Sequence, residues 1–192
     1  MTEGSTVRLF FPFACTVMAA MLGAGTAPAQ VTKKEITKAT TPYDDSKPNS
    51  DKVPDVVAFD GSFTRTVILR FKFQADLLAG LEDMVKQQKI RNAVIVAGIG
   101  SVRNYHIHSV SNREFPSKNV FIEDKSTPAD IVSINGYVIG GRIHAHMTLV
   151  DGEKAWGGHI EPGNSVFTFA IVTLGVLPDD MDLSKLDDKT WR

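Results

Sequence analysis

From Phe63 to Phe73 apolar and polar residues alternate. Phe63, Val67, Leu69, Phe71 and Phe73 fall on one side, and Thr64, Arg70 and Lys72 on the other. A period of two predicts a β-strand. The period then lengthens: from Asp76 onward Leu77, Leu78, Leu81, Met84 and Val85 recur at helical spacing, while Glu82, Asp83, Lys86 and Gln87 face away, which predicts an amphipathic helix. Val94-Ile95-Val96-Ala97 is a continuous apolar run, the pattern of a strand buried on both faces. Gly98-Ile99-Gly100-Ser101 breaks it, as a tight connection or a glycine-permitted close approach. Strand-like runs follow at 102–110, 119–124, 130–139, 143–150, 154–160 and 166–176, separated by turn signals. Asn135-Gly136 inside one of them predicts a bulge or bend. Strand, helix, strand and a long antiparallel series make an α+β fold, a mainly antiparallel β-sheet with one principal helix packed on it.

The flanks read differently. Arg8 precedes an uncharged, almost uniformly apolar run from Leu9 to Leu22, and Ala27-Pro28-Ala29 supplies small residues in a cleavage pattern. Residues 1–29 are expected to be a signal peptide, leaving Gln30 at the new N-terminus. The run is shorter than the roughly 20 residues of a spanning helix and contains Pro12. Acylation at Cys15 would need a lipobox that Pro12-Phe13-Ala14 does not match. Residues 30–60 are polar and punctuated by Pro42, Pro48 and Pro54, the pattern of a linker or tail. The folded domain is expected over 61–177, with a polar extension over 178–192 that is either ordered or frayed. Export would place the protein in a periplasm or outside the cell, with no membrane association after cleavage.

Composition narrows the function. Cys15 is the one cysteine of the 192 residues, so cleavage leaves no thiol for a disulfide. Stability then rests on the apolar core, oligomerisation or a metal. Net charge is −1, and removal of Arg8 with Glu3 leaves it so. A nucleic-acid binder normally carries a basic excess.

The segment Ile143-His144-Ala145-His146 … Asp151-Gly152 … Gly157-Gly158-His159 carries the chemistry. Asp-Gly between two strand-like runs predicts a two-residue hairpin turn. That turn pairs Val150 with Glu153, residue 146 with 157, and residue 144 with 159. His144 and His146, two apart, share a face, and His159 joins them from the neighbouring strand. Three imidazoles then converge, a Zn²⁺ ligand set with room for an open position. A three-residue loop would instead turn His159 to the opposite face. His106 and His108 form a second His-x-His with no third partner at useful spacing, and read as exposed or pocket-lining residues able to reach the first cluster only from a neighbouring strand or subunit. Glu161, on the His159 face, reads as a fourth ligand, an imidazole's hydrogen-bond partner, a general base, or a plain surface acid. Trp156 reads as packing.

These motifs together resemble the plant-and-prokaryote-conserved (PPC) domain, over roughly Ser62 to Leu177. The resemblance runs through the opening strand with Arg70, the helix, Ala97-Gly98-Ile99-Gly100-Ser101-Val102, the strand Asp130–Gly136, His144-Ala145-His146 and Gly157-Gly158-His159. It implies a trimeric α+β fold in which His144, His146 and His159 match metal-binding histidines, with zinc the expected ion. Plant members also carry an Arg-Gly-Arg-Pro AT-hook and a Gly-Arg-Phe-Glu-Ile-Leu run. This chain has no such hook, and Pro128-Ala129-Asp130-Ile131-Val132 in place of the run. His106 and His108 are not part of the family pattern.

Three functions follow in order. The first is an exported, metal-binding oligomeric module for a small ligand or a protein. The second is a zinc-dependent hydrolase or lyase at the three-histidine site, with Glu161 or His106 as acid or base. The third, DNA binding, is suggested by family names alone and opposed by the charge and the leader.

Overall fold

The computed structural model describes residue 1, residues 33–39, 50–189 and 191–192. The expected signal peptide and Cys15 lie outside the described residues, Met1 excepted. In chain order the elements are β1 (Lys33–Ala39), β2 (Arg65–Phe71), α1 (Leu77–Gln87), β3 (Ala93–Val102), β4 (Tyr105–Val110), β5 (Lys118–Asp124), β6 (Ala129–Ile139), β7 (Arg142–Val150), β8 (Ala155–Ile160) and β9 (Val166–Val176). All nine strands join one sheet in the order β1-β5-β4-β8-β7-β6-β3-β9-β2. Every pairing is antiparallel. Among the described residues α1 is the one α-helix, so the α+β expectation holds. It is not long and apolar enough to cross a membrane.

The helix forms where its spacing predicts. Asp76 is its N-cap, with Oδ1 accepting from the Ala79 amide at 2.9 Å, which satisfies one of the otherwise unpaired amides of the first turn. Oδ2 accepts from the Gly163 amide at 2.8 Å and ties the helix start to the β8–β9 connection. Leu77, Leu81 and Val85, at i, i+4 and i+8, turn into the core. Leu77 and Leu81 are completely buried, each contributing about 1.5–3 kcal/mol of transfer free energy.

The same alternation sets the two sides of the sheet. Tyr105 and Ile107 of β4, Ala145, Met147 and Leu149 of β7, and Ile160 of β8 point into the core with the helix. Their even-numbered neighbours on β4 and β7, and His159 on β8, point the other way. Trp156 packs against the core beside Tyr105, ring centroids 5.5 Å apart.

Four local expectations are corrected. Gly98–Ser101 does not end a strand: β3 runs through it, with its register to β9 slipping at Ile95/Ala97 and Gly100/Val102. A Cβ at Gly98 would overlap the Ile134 side chain of β6, so this glycine serves close approach. Nor is β3 buried on both faces within one chain, since Val96 and Ile99 are about half exposed. In β6 the irregularity lies at Ile131/Ser133, and the strand passes straight through Asn135-Gly136. The 30–60 segment, expected as an unstructured linker, contributes edge strand β1, paired with β5 from Lys33↔Asp124 to Ala39↔Lys118.

The extension after β9 is ordered. Leu183 is buried with Leu177 and Ile139 in a second small cluster. The buried Asn92 amide donates to the carbonyls of Met181 at 2.9 Å and Pro178 at 3.2 Å, while its Oδ1 accepts from Gly140 N. These bonds return the chain end to the β6–β7 turn and carry Asp187 to the face bearing the histidines.

Candidate metal centre

The hairpin between β7 and β8 is wider than the Asp151-Gly152 pair predicts. The turn takes four residues, with Asp151 Oδ1 accepting from the amides of Glu153 at 3.1 Å and Lys154 at 3.2 Å. Val150 therefore pairs with Ala155 rather than Glu153, and His159 lies opposite His146 rather than His144. Gly157 faces Thr148, not His146. The shift is two residues, an even number, so His159 keeps its face. The convergence of three imidazoles survives the change of register.

That convergence is close. His144 and His146 lie with ring centroids 5.4 Å apart and Nε2 atoms 3.3 Å apart. The His159 ring is 4.9 Å from His144 and 5.2 Å from His146, edge-on to both. One nitrogen from each of the three lies within 4.8 Å of the others. Gly157-Gly158 lets β8 reach this position. A Cβ at Gly157 would overlap the Met147 carbonyl of β7, and one at Gly158 the His108 carbonyl of β4.

The electrostatics suit a cation. His144 Nδ1 is 2.8 Å from Asp187 Oδ1. A carboxylate there fixes the ring with Nδ1–H as donor, leaving the Nε2 lone pair toward His146. Burial, reinforced by unfavourable coulombic interaction with the neighbouring imidazoles of His108, His144 and His146, pushes the His159 pKa down to about 4. The His146 pKa is also lowered, first by burial and then by His144 and His108. Both rings are then neutral near pH 7, the form that binds metal. The 3.3 Å contact between the two Nε2 atoms is a hydrogen bond when one of them carries the proton, and with both lone pairs turned to the site the same two nitrogens can share a cation. The three residues therefore fit a metal ion.

The other candidates are also placed. His108 does reach the cluster, from β4. It lies directly opposite His159 on one side and Phe121 on the other. Phe121, His108, His159, His146 and Asn135 thus form one transverse row across β5, β4, β8, β7 and β6. The His108 and His159 rings stack with centroids 4.5 Å apart. Glu161 Oε1 lies 2.5 Å from His108 Nδ1, so its partner is an imidazole. His106 stands apart: its Nδ1 meets the Pro162 carbonyl at 2.9 Å, and its backbone is bracketed by Asn164. Sequence reasoning missed Asp187, Asn135 and Tyr137. Tyr137 lies opposite His144 and Asn135 opposite His146. With Ile139, His144, His146, Leu186 and Asp187 they line a cavity of about 380 Å³ beside the histidines.

Comparison with known proteins agrees with this architecture. The model of the Plants and Prokaryotes Conserved (PCC) domain matches residues 58–178. A metal-containing protein from Archaeoglobus fulgidus superposes with a TM-score of 0.54 at 24% identity, over 63% of this chain and 86% of that one. A plant- and prokaryote-conserved protein from Pyrococcus horikoshii gives 0.53 at 25% identity, over 64% and 85%. Among curated proteins, a bifunctional protein GlmU from a Synechococcus species is 23% identical over 111 residues, 57% of this chain but only 17% of that protein. The matched domain takes in every strand from β2 to β9, the helix and all five histidines, and the chain belongs to the Plants and Prokaryotes Conserved domain family.

Proposed function

We propose that the protein is an exported, trimeric metal-binding module that holds one zinc-class ion on His144, His146 and His159 and presents the adjoining cavity to a small ligand. The observation that carries this reading is the approach of three imidazole nitrogens to within 4.8 Å of one another from two adjacent strands. Imidazole donors suit zinc, copper, iron or nickel, with zinc the expected occupant for three histidines and an open position. The Archaeoglobus fulgidus protein of the same fold is metal-containing, in keeping with this reading.

Each residue has a task. His144 is held by Asp187, so its Nε2 faces the site. His146 and His159 supply neutral donors from opposed positions on β7 and β8. A zinc ion with an open coordination position would supply Lewis acidity and a bound water of lowered pKa. Tyr137 and Asn135 line the cavity with a hydroxyl and an amide suited to orienting a polar ligand. Its one carboxylate, Asp187, is engaged with His144, which favours ligand binding over hydrolase or lyase chemistry.

The trimer and the leader rest on separate features. Ile68, Val96, Ile99, Val132 and Phe169 stand 39–68% exposed on β2, β3, β6 and β9, an apolar surface of the kind that other subunits cover. The leader would be removed after Ala29, so the exported protein would begin at Gln30.

Cobalt substitution tests the site. Co²⁺ added to the chelated protein should give the visible absorption of a low-coordinate nitrogen site, lost in His144→Ala and His146→Ala. A wild-type spectrum no different from aqueous Co²⁺ would refute the assignment.

A further inference from the structure

His159 belongs to two ligand sets at once. Besides the set with His144 and His146, one donor atom each from His108, His159 and Glu161 also lies within 4.8 Å of the others. The second set is built as firmly as the first. His108 and Glu161 are each about four-fifths buried. His108 stacks on His159 from one side, and its other side is covered by Phe121, centroid 4.8 Å away. The three residues come from β4, from β8 and from the residue just past the end of β8. There the Glu161 amide donates to the His106 carbonyl at 3.1 Å, and its own carbonyl accepts from the Asn164 side chain. Asn164 is completely buried, so Glu161 is held by backbone on both sides. The three donors are two imidazole nitrogens and a carboxylate oxygen.

We infer that His108, His159 and Glu161 form a second divalent-cation site, so that His159 stands between two cations on one sheet face. Two nitrogens and an oxygen from a carboxylate suit first-row divalent ions of the zinc and cobalt class. A neutral imidazole has one lone-pair nitrogen and one N–H, so His159 serves a cation on either side as a bridging imidazolate, its N–H proton released to solvent as the second cation binds. Two dications in neighbouring sites repel, and the arrangement opposes this with one carboxylate on each flank: Asp187 beside His144 and Glu161 beside His108. The inference rests on the three-histidine reading only through the shared His159. His108 and Glu161 serve the second set alone, as His144 and His146 serve the first.

Equilibrium dialysis of the chelated, untagged protein against Zn²⁺ alone tests it, with bound metal counted by elemental analysis and folding checked by circular dichroism. Wild type should bind about two ions per chain, one for each set. His108→Ala with Glu161→Gln should bind about one, and His144→Ala with His146→Ala should bind the other. Should His108→Ala not fold, His108→Gln removes the donor at similar volume. Equal stoichiometry in wild type and the His108/Glu161 variant, or no metal in the His144/His146 variant, would overturn the second site. An undiminished count in the His144/His146 variant would instead refute the three-histidine site and leave the second standing.

Discussion

Asp187 reaches back from the chain end to lie 2.8 Å from His144 Nδ1. It is nine residues past the end of the matched family domain, so this chain supplies the carboxylate partner of His144, a proposed metal ligand, from its own extension. Carboxylates in this role fix the imidazole tautomer and raise its basicity, and their loss typically lowers metal affinity about 10–100-fold. Asp187→Ala is predicted to weaken Zn²⁺ binding by that factor, with secondary structure retained, as measured by competition with a chromophoric chelator. Unchanged affinity would show that the contact does not orient His144 for metal.

Acid should destabilise the metal-free protein in a defined window. The His159 pKa is pushed down to about 4 by burial and then by its histidine neighbours, against about 6.5 in an unfolded chain. Between those values the unfolded chain takes up a proton that native His159 refuses. Stability therefore falls as pH drops from about 6.5 toward about 4 and levels off for this residue below that. His146 is shifted in the same direction. Urea midpoints of chelated protein should decline across this window, and His159→Gln should flatten the decline. A profile unaffected by that substitution would argue against a proton-refusing His159.

Gly158 is predicted to be intolerant of any side chain. A Cβ there would overlap the His108 carbonyl of β4, which belongs to the neighbouring backbone and cannot turn aside. Gly158→Ala should cost about 1–3 kcal/mol, the usual range for overpacking, and should weaken metal binding by displacing His159. Gly152→Ala has open space around its Cβ but a φ of +92°, so its cost should be confined to backbone strain in the turn, without loss of metal. Urea melts and chelator competition on both variants separate the two effects.

The exposed apolar surface gives a prediction about assembly. Ile99 and Val132 are each 54% exposed and Phe169 is 39% exposed, on the side of the sheet away from the core. If three copies bury this surface, Ile99→Asp should place a charge in the interface and reduce the sedimenting species to a single chain, with the circular dichroism spectrum preserved. A wild-type protein that sediments as one chain would refute the trimer.

Local periodicity made the helix legible, because Leu77, Leu81 and Val85 repeat at its pitch, and it made the shared face of His144 and His146 legible, because strand parity needs no knowledge of partners. The hairpin register was readable only in parity. Asp151 folds its carboxylate onto two amides and widens the turn, a competition between side chain and backbone that the Asp-Gly pair does not reveal. His108 and Asp187 were out of reach for another reason. His108 meets His159 through a short β4–β8 pairing, and Asp187 meets His144 across 43 residues; neither contact leaves a spacing signal. At Gly98 the sequence left two alternatives, a tight connection or a close approach, and only the packing of Ile134 against it decides for the second.

The metal content of the purified protein decides whether His144, His146 and His159 hold an ion. The protein should be purified without a histidine tag, alongside a variant carrying His144→Ala, His146→Ala and His159→Ala, and both should be subjected to elemental analysis. Wild-type protein should carry bound zinc or a similar divalent ion, and the variant none. Wild-type protein that cannot be loaded with metal, or a triple variant that holds as much as wild type, would contradict the assignment and reduce the three histidines to a polar patch on a sheet.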